Sequence, residues 1–248
     1  MNDKKIALVT GGMGGLGSAI CRRLHQGGYR VATTFSPDNA RAQHWIEEQK
    51  DDGFRFSGYQ VDVADFDDCA RMAEKIRAEL GTVSVLVNNA GITRDQSLRK
   101  MTLEDWQTVL RINLDSVFNI SKQFLDPMLE QKWGRIINIS SVNGQKGAFG
   151  QANYSAAKAG MHGFTKALAL EVARHGITVN TVSPGYLRTA MVAKVPAEVM
   201  QNKILPQIPL GRLGEPDEVA GLISYLASEE AAFLTGAEIA INGGQHMR

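Results

Sequence analysis

The sequence predicts an α/β fold, a single parallel sheet of about seven strands wound with helices on both faces. Three observations carry that expectation. Short β-rich runs alternate with amphipathic stretches along the whole chain, the pattern of repeated βαβ units. Several of these runs are apolar at consecutive positions, as strands covered on both faces are. A glycine-rich turn follows the first run and opens the first amphipathic stretch.

In chain order, KIALVT (5–10) reads as the first strand. GSAICRRLHQGG (17–28) reads as a helix with Ala19, Ile20 and Leu24 on one side and a stop at Gly27-Gly28. YRVATTF (29–35) and FRFSGYQVDV (54–63) are the next strands. DFDDCARMAEKIRAELG (65–81) opens with acidic residues, favourable at a helix N-terminus, and ends at Gly81. VSVLVNNAG (83–91) is a buried strand, and residues 102–129 form one long helix with Thr102 and Asp105 in its capping region. GRIINISS (134–141), a helix around 152–174, and GITVNTVSPG (176–185) follow. Residues 186–214 break the alternation: the segment carries three prolines and no strand, and its place after a strand end suits a substrate lid. EPDEVAGLISYLASEE (215–230), with Pro216 in the first turn, and AEIAINGG (237–244) complete the sheet. No linker, repeat or low-complexity tract divides residues 1–248, so one domain is expected.

Composition narrows the function classes. A hydrophobic content of 44% and a charged content of 21% are those of an ordinary globule. A formal net charge of +1 offers no electrostatic basis for binding nucleic acid or an anionic membrane. No apolar run approaches the ~20 residues of a membrane helix, and the apolar run near the start is too short for a signal-peptide core. Cys21 and Cys69, the only cysteines, read as reduced thiols, and the cytoplasm is the expected compartment. The five histidines have no metal-ligand spacing and no cysteine cluster beside them, so no metal site is expected.

The turn VTGGMGGLGSAI is where chemistry enters. Gly11, Gly12, Met13, Gly14, Gly15, Leu16 and Gly17 lie between strand and helix with TGxxxGxG spacing. Glycines let a backbone approach a pyrophosphate, and a helix N-terminus offers free N–H groups and the positive end of its dipole. A tight strand-to-helix turn needs glycine in any case, but this position after the first strand favours dinucleotide binding.

TGxxxGxG resembles the short-chain dehydrogenase/reductase family, whose members are single Rossmann-like domains of about this length. The resemblance extends over nearly the whole chain. Asp62-Val63 ends the third strand, where the family holds the adenine ring, and NNAG (88–91) resembles its next motif. Asn113, Ser141 and Tyr154-x-x-x-Lys158 follow in order, then SPGY (183–186) with Thr189 close behind. The resemblance implies cofactor contacts at Asp62, Val63, Asn89, Ala90, Gly91, Ile92, Thr93, Pro184, Gly185, Leu187 and Thr189, besides Tyr154 and Lys158.

The tail of the second strand bears on which cofactor. TTFSPDNAR has no acidic residue at the strand end to grip a ribose 2′-hydroxyl. Ser36 leaves a 2′-phosphate unopposed, and Arg41 can pair with it. Asp38 reads as a helix N-cap after Pro37. NADPH/NADP+ is therefore the expected cofactor, although the turn itself has Met13-Gly14 where many NADP-dependent relatives carry a basic residue.

Tyr154 and Lys158, four apart, share one helix face. A tyrosine with an ordinary pKa of ~10 is a poor acid–base catalyst, and a lysine cation beside it is expected to lower that value by ~2–3 units. The resemblance gives Tyr154 the role of proton donor to a carbonyl, Ser141 a hydrogen bond to the same oxygen, and Lys158 a second role on the nicotinamide ribose. The same resemblance implies that Asn113 holds a water in a proton relay to Lys158.

Residues 89–102 and 140–169 and the ending NGGQHMR resemble one group within the family, the acetoacetyl-CoA reductases of polyhydroxybutyrate synthesis. That resemblance implies NADPH-dependent reduction of a 3-oxoacyl-CoA to the (R)-3-hydroxyacyl product. Candidate substrate contacts are Asp95, Ser141, Ala148, Phe149, Gly150, Gln151, Tyr154, Gly185 and Tyr186, with Arg94, Arg99 and Lys100 as possible phosphate partners. The alternative is a 3-oxoacyl-acyl-carrier-protein reductase, a group that docks its acidic carrier on arginines flanking the site; Lys132 and His175 stand at those places here. A non-catalytic NADP-binding sensor is the remote alternative, and such proteins usually lose the tyrosine or lysine. The resemblance also implies a homotetramer packed through the long helix and the tyrosine helix, whose Ala156, Ala157, Ala159, Gly160, Gly163, Ala167 and Ala169 permit close approach.

Overall fold

A computed structural model describes residues 4–190 and 192–247; the two ends of the predicted domain, and Met191 within the predicted lid, lie outside the described residues. Among the described residues, seven strands form one all-parallel sheet. They are β1 (Ile6–Val9), β2 (Arg30–Phe35), β3 (Phe56–Gln60), β4 (Val83–Asn88), β5 (Gly134–Ile139), β6 (Ile177–Pro184) and β7 (Glu238–Ile241). The order β3-β2-β1-β4-β5-β6-β7 reverses between β1 and β4, which opens a crevice at the carboxyl ends of those two strands. The fold class is the one the sequence predicts.

The helices are α1 (Gly15–Gln26), α2 (Ala42–Asp51), α3 (Phe66–Glu79), α4 (Leu103–Leu110), α5 (Ser116–Gln131), α6 (Val142–Lys146), α7 (Ala152–Val172), the single turn α8 (Ala197–Val199) and α9 (Pro216–Leu226). Side chains alternate across the strands and so build two cores. Leu8, Leu86, Ile136 and Val179 meet Met72, Ile76, Phe124 and Leu168 of α3, α5 and α7. Val9, Val87, Ile137 and Val182 meet Ile20, Leu24, Ile223 and Leu226 of α1 and α9. Each fully buried aliphatic side chain contributes roughly 1.5–3 kcal/mol of transfer free energy. That double cover is why β4, β5 and β6 are buried along their whole lengths.

A buried polar row crosses the sheet just below the crevice. Asn88 Nδ2 donates to Asn138 Oδ1 (2.8 Å) and Ser121 Oγ (3.1 Å), and Asn138 Nδ2 donates to Thr165 Oγ1 (2.8 Å). Thr165 and Thr181 share a hydroxyl hydrogen bond of 2.7 Å. Asn88, Asn138 and Thr181 are register partners on adjacent strands. A slip of one residue would leave these groups unpaired in the core, so the row holds strand ends and helices in one alignment.

The structure corrects three local expectations. The long helix is not continuous: a π-helical turn, Arg111–Asp115, separates α4 from α5. Asn113 Nδ2 donates to the carbonyl of Val109 (2.9 Å) and Ser116 Oγ to that of Ile112 (2.7 Å), so both side chains compete for backbone acceptors one turn back. Asp38 is no helix N-cap; it lies in a turn, and Arg41 occupies the N-cap position of α2. Asp62-Val63 lies beyond the end of β3, where the Asp62 carboxylate accepts from Ala64 N–H in a local turn.

Candidate active site

The glycine turn is stitched to β4 by a threonine. Thr10 Oγ1 accepts from the N–H groups of Asn89 (2.9 Å) and Ala90 (3.0 Å). Asn89 Nδ2 donates back to the carbonyls of Thr10 (2.9 Å) and Gly11 (3.2 Å). Gly11 has a positive φ of +63°, which explains a glycine there. A Cβ on Gly17 would strike Gly11 O and approach Gly12 Cα to 2.7 Å, so the turn is folded too tightly for a side chain. Helix α1 then begins at Gly15 with no side-chain cap and no acidic residue in its first turn. Its leading N–H groups and positive dipole end face the crevice mouth, a donor set suited to a pyrophosphate. Thr189, after β6, folds back over this turn, its Cγ2 3.0 Å from where a Gly15 Cβ would stand.

The turn after β2 lies alongside. Thr34 Oγ1 accepts from Gly11 N–H (3.2 Å), and Asn39 Nδ2 lies 3.4 Å from Met13 Sδ. Asn39 Oδ1 accepts from Arg41 N–H (3.1 Å), which anchors the start of α2 beside the glycine turn. Ser36 and Arg41 are exposed there. The residues thus offer a pyrophosphate cradle and, next to it, a serine hydroxyl and a guanidinium.

Ser141, Tyr154, Lys158 and Asn113 come together at the ends of β4 and β5. Lys158 is buried, and its Nζ donates to the carbonyl of Ile139 (2.7 Å). Ser141 caps α6 by accepting from Asn143 N–H (3.1 Å), and it hydrogen-bonds the Tyr154 hydroxyl. Asn113 is fully buried; its Nδ2 is held by the carbonyls of Ile92 and Val109 (2.9 Å each), while its Oδ1 has no partner. A Cβ on Gly91 would lie 2.6 Å from that Oδ1 and 3.4 Å from Lys158 Nζ. Gly91 therefore leaves room between the amide oxygen and the ammonium, and a buried orphan acceptor beside a donor is a site for ordered water.

The electrostatics differ from the sequence-based expectation. Burial pushes Tyr154 up to about 12; the Ser141 hydrogen bond opposes this and the Asp95 charge adds to it. Burial pushes Lys158 down to about 7. The expected lowering of the tyrosine pKa by its lysine is absent, because Lys158 Nζ sits 5.6 Å from the ring centre and is itself desolvated. Tyr154 is held as a neutral acid, and Lys158 is readily neutralised.

The profile of the short chain dehydrogenases matches residues 5–199. The chain belongs to the short-chain dehydrogenase family. It is 54% identical over 244 residues to the acetoacetyl-CoA reductase of Cupriavidus necator, covering 98% of this chain and 99% of that one. Over 244 residues it is 51% identical to the acetoacetyl-CoA reductase of Allochromatium vinosum, with 98% and 99% covered. A more distant relative, the 3-oxoacyl-[acyl-carrier-protein] reductase of Pseudomonas aeruginosa, is 44% identical over 243 residues, with 98% of each chain covered.

On the outer side of this short-chain dehydrogenase site, two loops pack together. Gln96 N–H donates to Gly150 O (2.8 Å), and Gly150 takes a φ of +79°. Gln151 donates to Asp95 Oδ2 (2.8 Å) and accepts from Asn143 Nδ2 (2.9 Å). Ala148 is half-buried, whereas Phe149 is fully exposed at the rim. Asn153 Nδ2 donates to the carbonyls of Arg94 (3.1 Å) and Asp105 (3.3 Å), fixing the loop after β4 to α4 and α7. Gly185 packs on Asn242, and Tyr186 borders a cavity of about 90 Å³ under the segment after β6. Leu187 points into the core, so its side chain is not at the site.

Several expectations fare differently. The Arg94 guanidinium is paired with Asp105 (3.2 Å) and Glu104 (3.8 Å). Lys132 and His175 do not flank the site within one chain: they precede Gly134 and Ile177, at the amino ends of β5 and β6, while Ser141 follows the carboxyl end of β5. Thr10, Asn143 and Asn153 belong to the site's scaffold and were missed. Only the Thr10 position inside TGxxxGxG offered a sequence signal. Among the described residues no group of three His, Cys, Asp or Glu side chains gathers as a metal site, and no helix is long and apolar enough to cross a membrane.

Proposed function

We propose that this oxidoreductase uses NADPH to reduce 3-oxoacyl-CoA thioesters, converting acetoacetyl-CoA to (R)-3-hydroxybutanoyl-CoA as the monomer supply for polyhydroxybutyrate synthesis. The observation that carries the reading is the meeting of Ser141, Tyr154, Lys158 and Asn113 beside the glycine turn. The similarity to acetoacetyl-CoA reductases over nearly the whole chain supports the substrate class.

NADPH would lie with its pyrophosphate on residues 11–17, its 2′-phosphate toward Ser36 and Arg41, and its adenine toward Asp62-Val63. Its nicotinamide end would lie near Asn89–Thr93, Pro184-Gly185, Leu187 backbone and Thr189. Bound there, the dihydronicotinamide supplies the hydride. Tyr154, a neutral phenol whose pKa burial raises further, donates its proton to the substrate carbonyl oxygen as negative charge builds there. Ser141 donates a hydrogen bond to the same oxygen and is already oriented by its cap to α6. Lys158 then returns a proton toward the tyrosine side, and a water on Asn113 Oδ1 reloads it. Asp95, Gln151, the 148–150 rim and Tyr186 would bound the acyl pocket, Gln151 being held by its hydrogen bond to Asp95.

We read the whole chain as one catalytic domain whose 186–214 segment covers the substrate, working in the cytoplasm as a homotetramer. The exposed small residues of α7 and the exposed Phe66–Phe118 stack on α3 and α5 support an assembly through those helices. A monomeric mass in solution would contradict it. For the activity, the test is NADPH consumption with acetoacetyl-CoA and chiral analysis of the product. The (R)-alcohol is expected; no turnover with any 3-oxoacyl thioester would refute the reading.

A further inference from the structure

Resting on the proposed reduction, we propose that His162 and Glu238 are positioning residues for Lys158, acting through the hydroxyl of Ser140. The last residue of β5 and the two after it hold the two polar side chains in consecutive grips. Ile139 O accepts from Lys158 Nζ (2.7 Å), Ser140 Oγ donates to the backbone carbonyl of Lys158 (2.9 Å), and Ser141 bonds the Tyr154 hydroxyl. Ser140 is thus the grip on the helix backbone between two grips on side chains.

Ser140 is itself set from behind. Its Oγ lies 2.9 Å from His162 Nε2, and His162 Nδ1 lies 3.3 Å from Glu238 Oε2. The other Glu238 oxygen accepts from Gln145 Nε2 of α6 (2.7 Å). Ser140 and His162 are buried, and both charged side chains are only about a tenth exposed. Among the described residues, Lys166 and His246 are the other ionisable groups lining the cavity of about 740 Å³ beside Glu238. Gly144 packs closely over this contact: a Cβ there would come within 2.9 Å of both the Ser140 Oγ and the Lys158 carbonyl carbon.

The hydrogen count fixes the direction of the relay. A hydroxyl has one proton, and here it goes to the Lys158 carbonyl, so His162 Nε2–H must be the donor to Ser140 Oγ. With Nδ1 facing a carboxylate, His162 then carries protons on both nitrogens, and Glu238 balances its charge. A bare Nε2 would instead draw the Ser140 proton away from Lys158. His162 lies one turn beyond Lys158 and two beyond Tyr154, so the relay grips the same helix face that presents both side chains.

The test uses Ser140→Ala, His162→Leu, His162→Gln and the double variant Ser140→Ala/His162→Leu in the full chain. Ser140→Ala and His162→Leu should each lower kcat about tenfold, in the range typical of groups that orient a functional side chain, with KM for acetoacetyl-CoA within about twofold. The double variant should lose no more than Ser140→Ala alone, because both remove one linkage. His162→Gln, which keeps a donor, should restore most of kcat. Nitrogen-15 NMR of the free protein should find both His162 ring nitrogens protonated. Multiplying losses, an unchanged kcat, no rescue by glutamine or an unprotonated Nε2 would each overturn the proposal. Wild-type turnover tests the proposed reaction, and the variant-to-wild-type ratio tests the relay, so the two failures are distinguishable.

Discussion

Replacing Lys158 with methionine should make the protein more stable while abolishing its activity. Burial takes the lysine from 10.5 to about 7, which corresponds to about 5 kcal/mol of penalty at ~1.36 kcal/mol per pH unit. Methionine fills the same stem volume without the charge but leaves the Ile139 carbonyl without its donor, a loss of about 1–3 kcal/mol. The net gain at neutral pH is therefore about 2–4 kcal/mol. In a chain of this size that raises Tm by roughly 5–10 °C. The pH dependence follows from the direction of the shift. Below about 7 the lysine is charged in both states and the full penalty stands. Between about 7 and 10.5 the lysine binds more protons in the unfolded chain, so its penalty in the wild type fades as pH rises and the advantage of the variant shrinks. Tyr154, raised from 10 to about 12, and Cys21 and Cys69, raised from 9 to about 12, contribute the opposite slope above about 10 and 9, but both proteins share these groups, so the difference between their melting curves from about pH 6 to 9 isolates the lysine. A variant less stable than wild type near neutral pH, or a difference that does not narrow as pH rises, would refute the reasoning.

Other outcomes follow from the same geometry. Tyr154→Phe removes the proton donor but keeps the ring; kcat should fall by a factor on the order of 10³ while NADPH affinity by fluorescence titration stays near wild type. Arg41→Ala should raise the dissociation constant for NADPH about tenfold or more and leave NADH almost unchanged; equal effects on both would exclude a contact with the 2′-phosphate. Gly17→Ala should cost roughly 1–3 kcal/mol by overpacking and weaken both cofactors, since its methyl would strike Gly11 O. Calorimetry and titration would read both effects.

The architecture was legible because its signals are local and repeated. Consecutive apolar runs give two-faced strands, as β4 to β6 are, and Gly11 and Gly17 mark a turn with no space for side chains. The order of Asn113, Ser141, Tyr154 and Lys158 was legible through the family pattern, and the fold brings them to one place. What was hidden depends on contacts between residues distant in sequence. Nothing near Asn113 announces that its amide will take the Val109 and Ile92 carbonyls and open a π-turn. Nothing near Asn153 announces a tie to Arg94 and Asp105. His162, set aside for want of metal spacing, meets Glu238 only because β7 closes the sheet beside β6. The electrostatics were hidden for the same reason: the Tyr154–Lys158 spacing suggests an activating cation, whereas burial, which depends on the whole fold, dominates both groups.

The most direct measurement of the central claim is kcat/KM for acetoacetyl-CoA and for acetoacetyl-acyl-carrier protein, each with NADPH and with NADH. The site predicts the highest value for acetoacetyl-CoA with NADPH. A preference for the carrier-bound substrate would move the chain to the carrier-protein reductases, and a preference for NADH would contradict the assignment of Ser36 and Arg41.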